Sequence, residues 1–243
     1  MLLGNVRASL TRDDAQLALR LLAQGEPREL DAAEMRLREE GIDALLDDPR
    51  LLPAIIESRI GMQVSVQLLW YVVVRRALCR VGEDDRALAD YVAAILLHFG
   101  ARGRAERIAE TDDQVYTTLA ELLGEVDTPD VRRSFVVRQQ LGNYALWSAG
   151  MFPDRIEHTR WRRGGPDLDY YEEMGRRGFA LAAEHRLAQE HGLDALLRVA
   201  ASRFAALRLA LNDVSDTLLF PHASSPERLM RQVRSETAWR WVS

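Results

Sequence analysis

Apolar positions recur every three to four residues along most of the chain, and short polar stretches separate the runs, the pattern of successive amphipathic helices. Thr11 and Asp14 have the spacing of a capping box; behind them Ala15, Ala18, Leu19 and Leu22 share a face, and Gly25 supplies the stop. A second helix is predicted from Pro27 to Gly41, with Leu30, Ala33 and Leu37 inward and a charged outer face. Pro49 and Pro53 divide residues 42–60 into short helices, with Pro53 in a first turn, where its missing N–H is not needed. Val64 to Val81 contains VQLLWYVVV, residue types that favour strands. Its run of about 18 residues without a turn signal exceeds an ordinary strand, and length predicts one buried helix.

Asp84 or Asp85 caps the next helix, which turns Leu88, Tyr91, Val92, Ile95 and Phe99 inward and ends at Gly100. Another is predicted from Thr111, with Val115, Leu119, Leu122 and Val126 inward. Thr128-Pro129-Asp130 opens a long helix over 129–149. After a Gly164-Gly165-Pro166 break, Asp169 caps a helix over 170–185, on which Tyr171, Met174, Gly178, Leu181 and His185 share a face. Gly175 and Gly178 each weaken that helix by about 1 kcal/mol relative to alanine. With Gly142, they are expected to let the 129–149 and 170–185 helices approach closely. Leu193 to Phe220 forms one or two further helices, closed by Pro221.

The expected fold is all-α, a multi-helix bundle of about eight to eleven helices over 1–221 followed by a C-terminal amphipathic tail over 222–243. The tail restarts at Ser225-Pro226. Its Leu229, Met230 and Val233 form a stripe which, with Trp239 and Trp241, is expected to bury itself on the bundle or on another subunit.

Composition narrows the chemistry. All 32 basic residues are arginine, and without lysine there can be no Schiff base, no pyridoxal phosphate attachment and no Walker A phosphate loop. The formal charge of −5 disfavours a surface built for nucleic acid. Cys79 stands alone, which excludes an intrachain disulfide and a multi-cysteine zinc site, and its apolar neighbours predict a buried thiol. The amino-terminal residues do not read as a signal peptide, and the longest apolar run, around Leu68 to Val74, is too short to span a bilayer. A cytoplasmic protein without membrane contact is expected.

Seven of the 17 aromatic residues fall between Tyr144 and Phe179. Phe152 and Trp147 are expected in the core, and Tyr170 and Tyr171 at a pocket edge. Three of the five histidines directly follow a glutamate; adjacent helical residues point about 100° apart, so such pairs do not chelate one metal. Only a convergence of Glu157, His158, Asp169, Glu173 and His185 would make a metal or acid–base site, and no metal is assigned. No nucleophile elbow, di-iron motif or zincin motif occurs, so catalytic residues stay unassigned and no cofactor is expected. Arg155, Arg160, Arg162 and Arg163 form a basic patch able to hold an anion, with the flanking Asp154, Asp167 and Asp169 as its expected partners.

A cytosolic interaction or scaffold protein without catalytic activity follows, self-associating or binding a protein partner. The alternative is a small-molecule-binding protein or enzyme with its pocket between the 129–149 and 170–185 helices, formed around Tyr144, His158, Arg162, Asp169 and Tyr170. Nucleic-acid binding through the arginines ranks last.

Overall fold

The computed structural model describes residues 1–100, 116 and 118–240, the last seven by their backbone alone. Among the described residues it forms fourteen helices and no strand, and eleven of the helices have seven residues or more. Packing divides the chain into two compact units, one of residues 2–101 and one of residues 102–243 with Met1.

The first unit contains α1 (Arg12–Ala23), α2 (Pro27–Glu40), α3 (Asp43–Leu46), α4 (Leu51–Glu57), α5 (Val66–Arg80) and α6 (Arg86–Gly100). Thr11 and Asp14 close the capping box of α1, each side chain accepting from the other's amide, at 3.3 and 2.8 Å. The ambiguous stretch is helical. Ser65 caps α5 by accepting from the Leu68 amide at 3.0 Å, and Leu68, Tyr71, Val72, Val73, Val74 and Leu78 are buried. Burial on several sides of α5 outweighs the strand preference of its residues. Asp85 caps α6. Cys79 departs from expectation: it lies exposed on the outer side of α5, and the desolvation it does experience raises its thiol pKa, so it is no activated nucleophile.

Arginine–aspartate clamps tie these short helices together. Arg75 of α5 and Arg86 of α6 both hold Asp47, at 2.7 Å each. Buried Asp48 accepts from Arg36 of α2 at 2.7 Å and from the Arg50 backbone amide at 2.9 Å.

The second unit contains α7 (Leu119–Gly124), α8 (Val131–Met151), α9 (Pro153–Arg163), α10 (Leu168–Ala183), α11 (Arg186–Glu190), α12 (Asp194–Ser202), α13 (Phe204–Val214) and α14 (Pro226–Arg240), with a π-turn at Ser215–Leu219. The expected start at Thr111, with Val115, lies outside the described residues; Thr118 caps α7 in a box with Glu121, and Leu119, Leu122 and Val126 are buried. Two caps sit at neighbours of the expected ones. Asp130 caps α8 directly, and Asp167, rather than Asp169, caps α10 by accepting from the Tyr170 amide at 2.9 Å.

α8 and α10 pack directly, backbone against backbone. A Cβ placed on Gly178 would lie 2.5 Å from the Gly142 amide nitrogen and 3.0 Å from its Cα. Gly175 serves a different contact, since a Cβ there would strike the ring of Phe204 on α13.

Pro153 ends α8 and begins α9, and it removes the N–H that the Ala149 carbonyl would otherwise receive. Buried Asn212 of α13 replaces it, donating from Nδ2 to the carbonyls of Ala149 and Gly150 at 2.8 Å each, and Ser215 Oγ donates to Met151 at 2.8 Å. Leaving such buried carbonyls unpaired would cost about 1–3 kcal/mol each, so the bend between α8 and α9 depends on these two side chains.

The tail docks, but not by its apolar stripe. Ser225 starts α14 as expected. Among its described side chains the buried ones are Arg228 and Arg231, which share Asp154 of α9 and Asp216 of the π-turn, at 3.0 Å for Arg228 on Asp154 and 2.8 Å for Arg231 on Asp216. Leu229 and Val233, expected to be buried, are 58% and 62% exposed on the opposite side. Removing one partner of a buried ion pair costs about 3–5 kcal/mol, so these aspartates decide which face of α14 turns inward. The side chain of Trp239 and the whole of Trp241 lie outside the described residues.

Two outcomes follow. Gly178→Ala should destabilise the protein by about 1–3 kcal/mol in urea unfolding, although helix propensity alone favours alanine by about 1 kcal/mol. Gly124→Ala, where a Cβ meets nothing within 4 Å, should be neutral or slightly stabilising. Equal changes at the two positions would contradict the close contact. The second outcome concerns Asp48. Burial alone would raise its carboxyl, but hydrogen bonds from Arg50 and Arg36 overcome this and hold the pKa at about 2, below its ordinary 3.8. Its contribution is therefore complete above about pH 4 and is lost as pH falls toward about 2. Asp48→Asn should remove at most about 2 kcal/mol at neutral pH and flatten that acid limb of the Tm profile; an unchanged limb would show that Asp48 does not cause it.

Candidate ligand cavity

Beyond the Gly142–Gly178 contact, toward the carboxyl end of α8 and the amino end of α10, bulky residues replace glycine. Tyr144, Trp147 and Ser148 of α8 face a cavity of about 700 Å³, which Tyr170 and Tyr171 of α10 wall from the other side. Phe152 at the α8–α9 bend, Arg155, Ile156 and Thr159 of α9, and Pro166 in the connecting loop complete that side. Thr118, Leu119 and Ala120 at the start of α7 also reach it. The loop turns sharply because Gly164 takes the left-handed conformation (φ 66°) that ends α9, its amide donating to the Arg160 carbonyl at 3.0 Å. Ala149, Ile156 and Leu168, with Tyr171 packed on them, make a small buried cluster joining α8, α9 and α10.

The rings form two groups, one along α8 and one on α10. Tyr144 and Trp147 lie 6.1 Å apart between centroids, Trp147 and Phe152 meet edge to face at 5.0 Å, and Tyr170 meets Tyr171 edge to face at 6.2 Å. Burial pushes the Tyr171 phenol up, the neighbouring Tyr144 phenol adds to the shift, and the Arg155 guanidinium pulls against it. Three tyrosines and one arginine thus belong to the lining of one aromatic-walled space. Arg155 is the one charged side chain among the described lining residues.

Of the five residues expected to form a site, the structure brings Tyr144 and Tyr170 to this cavity. His158 is turned toward α14, its Nδ1 3.1 Å from Glu227. Arg162 and Asp169 are exposed and do not line it. Trp147 and Phe152, expected in the core, are half-buried cavity walls. Tyr171 lines the cavity as a pocket-edge residue should.

The basic patch finds fewer internal partners than its acidic neighbours suggest. Arg160 reaches Asp167 at 3.6 Å, whereas Arg155, Arg162 and Arg163 make no ion pair among the described residues. Asp154 is engaged by Arg228 and Arg231 instead. Trp161, within the patch, is 72% exposed. The five residues that could have made an acid–base cluster do not converge: Glu157 is buried in α9, His158 pairs with Glu227, Asp169 and Glu173 are exposed, and His185 caps α11. Among the described residues no group of three histidines, cysteines or carboxylates is placed to hold a metal ion.

A second polar cluster lies in the first unit, where Arg7, Arg75 and Arg86 pair with Asp43, Asp47 and Asp84. Tyr71 is fully buried near it, its phenol pushed up to about 12 by burial. Three cations balance three anions there, as in a clamp joining α3, α5 and α6. Among the described residues no helix is long and apolar enough to cross a membrane. Comparison with family models, curated proteins and solved structures found no match to this chain.

Proposed function

We propose that the second unit is a small-molecule-binding module whose ligand occupies the cavity between α8, α9 and α10. One observation carries this: a space of about 700 Å³ walled by five aromatic side chains, with phenol hydroxyls and a guanidinium at its edge. That volume and lining match small-molecule sites, which enclose roughly 300–1,000 Å³ and combine an apolar wall with a few polar groups. The described lining supplies no nucleophile with an adjacent base, and the reading is of binding.

Phenylnaphthylamine, a neutral aromatic fluorophore, tests it. Titration should give saturable binding at one probe per chain, with energy transfer from Trp147. Thr159→Trp, which intrudes on the cavity from a half-exposed position, should weaken probe binding several-fold without lowering Tm. The reading fails if the probe does not saturate, or if it binds this variant as well as the native chain.

Self-association is a second reading, supported by the outward stripe on α14, where Leu229, Met230 and Val233 are each more than half exposed. The opposite face is occupied by the Arg228 and Arg231 ion pairs, and a twofold-related copy would meet the exposed side that carries the stripe. Light scattering should give twice the chain mass for the native protein and the chain mass for Leu229→Glu with Val233→Glu. The same mass for both proteins opposes this reading.

A further inference from the structure

We infer that the cavity's ligand carries one anionic group, a carboxylate, sulfonate or phosphate, seated on the Arg155 guanidinium, with its aromatic or acyl body against the rings of α8 and α10. This rests on the cavity being a ligand site. Arg155 lines the cavity and has no ion pair or side-chain hydrogen bond among the described residues, so its donors are uncommitted. The acids closest to it in sequence are engaged or buried. Asp154 is held by Arg228 and Arg231 at 3.0 Å each, Glu157 is buried in α9, outside the described lining, and Asp167 caps α10 and accepts Arg160.

The described lining therefore contains one positive charge and no negative one. A guanidinium at the rim of an apolar space is poorly matched to a neutral hydrocarbon ligand and well matched to a planar anion, which it binds through two parallel N–H donors. Tyr170 and Tyr171 also line the cavity, and their hydroxyls make no hydrogen bond among the described residues; Tyr171 is close enough to Arg155 for the guanidinium to pull its phenol pKa down against burial. Arg162 extends the field. It stands seven residues after Arg155 and three after Thr159, hence on the same side of α9, and also lacks an ion pair among the described residues. Its charge adds to the positive potential on that side of α9, which favours the approach of an anion.

Two probes with one aromatic body decide the matter: neutral phenylnaphthylamine and anionic anilinonaphthalene sulfonate, titrated by calorimetry on the full chain. The native protein should bind the anionic probe about tenfold tighter or more, the range of a charge-assisted hydrogen bond, and the preference should shrink as salt rises. Arg155→Gln should lose the preference, read as the ratio of the two probe affinities within that variant. Arg155→Met, with a stem of similar length, is the second variant under the same criterion. If the neutral probe binds and the anionic one binds no tighter, or if both variants keep the preference, the anion inference is overturned while the cavity reading stands. If neither probe saturates, both fall together.

Discussion

Gly142 and Gly178 let the backbones of α8 and α10 meet where any other residue would hold them apart. The rest of the second unit depends on this contact. It fixes where the two longest helices of that unit cross, and so where Tyr144, Trp147, Tyr170 and Tyr171 stand relative to one another. Small residues lie at the crossing and large rings beyond it. The change in side-chain size along two packed helices is what turns a contact into a cavity.

Polar satisfaction is the second constraint, and it is met by side chains distant in sequence. Pro153 bends the chain from α8 into α9, which turns Arg155 and Thr159 toward the rings, but the bend strips α8 of amide partners. Asn212 and Ser215 supply them from α13 and the π-turn. Asp154, in the first turn of α9, collects Arg228 and Arg231 and anchors α14. Because those aspartates hold the arginines inside, the apolar stripe of α14 faces outward, the reverse of ordinary amphipathic packing. The same engagement withdraws Asp154 from Arg155, so the fold of the tail bears on the charge of the cavity.

Much of the architecture was legible in the sequence, because helix length, caps and glycine spacing are local signals. The Thr11–Asp14 box could be read within one turn of chain, the helical state of α5 from the length of its run, and the Gly142–Gly178 crossing from small residues on two helices joined by a short break. The site was legible only in part. Tyr144 and Tyr170 were identifiable as rings flanking a break, but the residues between them depended on the rotation of α9, which no local pattern sets. Glu227 captured His158, and α14 lies sixty-nine residues away along the chain. The inward arginines of the tail were missed for a related reason: hydropathy assigns leucine and valine to the core, whereas two half-buried aspartates on other elements, Asp154 and Asp216, can reverse that choice. Trp147 and Phe152 could be recognised as packed rings, but whether a packed ring faces core or cavity is decided by what lies opposite.

The account stands or falls on the approach of α8 to α10. The most direct measurement is the nuclear Overhauser contact between the α-protons of Gly142 and Gly178, in a sample with both glycine signals assigned. A strong cross-peak is expected, because a Cβ on Gly178 would fall 3.0 Å from the Gly142 Cα. If both signals are resolved and no cross-peak joins them, the helices do not meet at the glycines, and the cavity built on that meeting is placed wrongly.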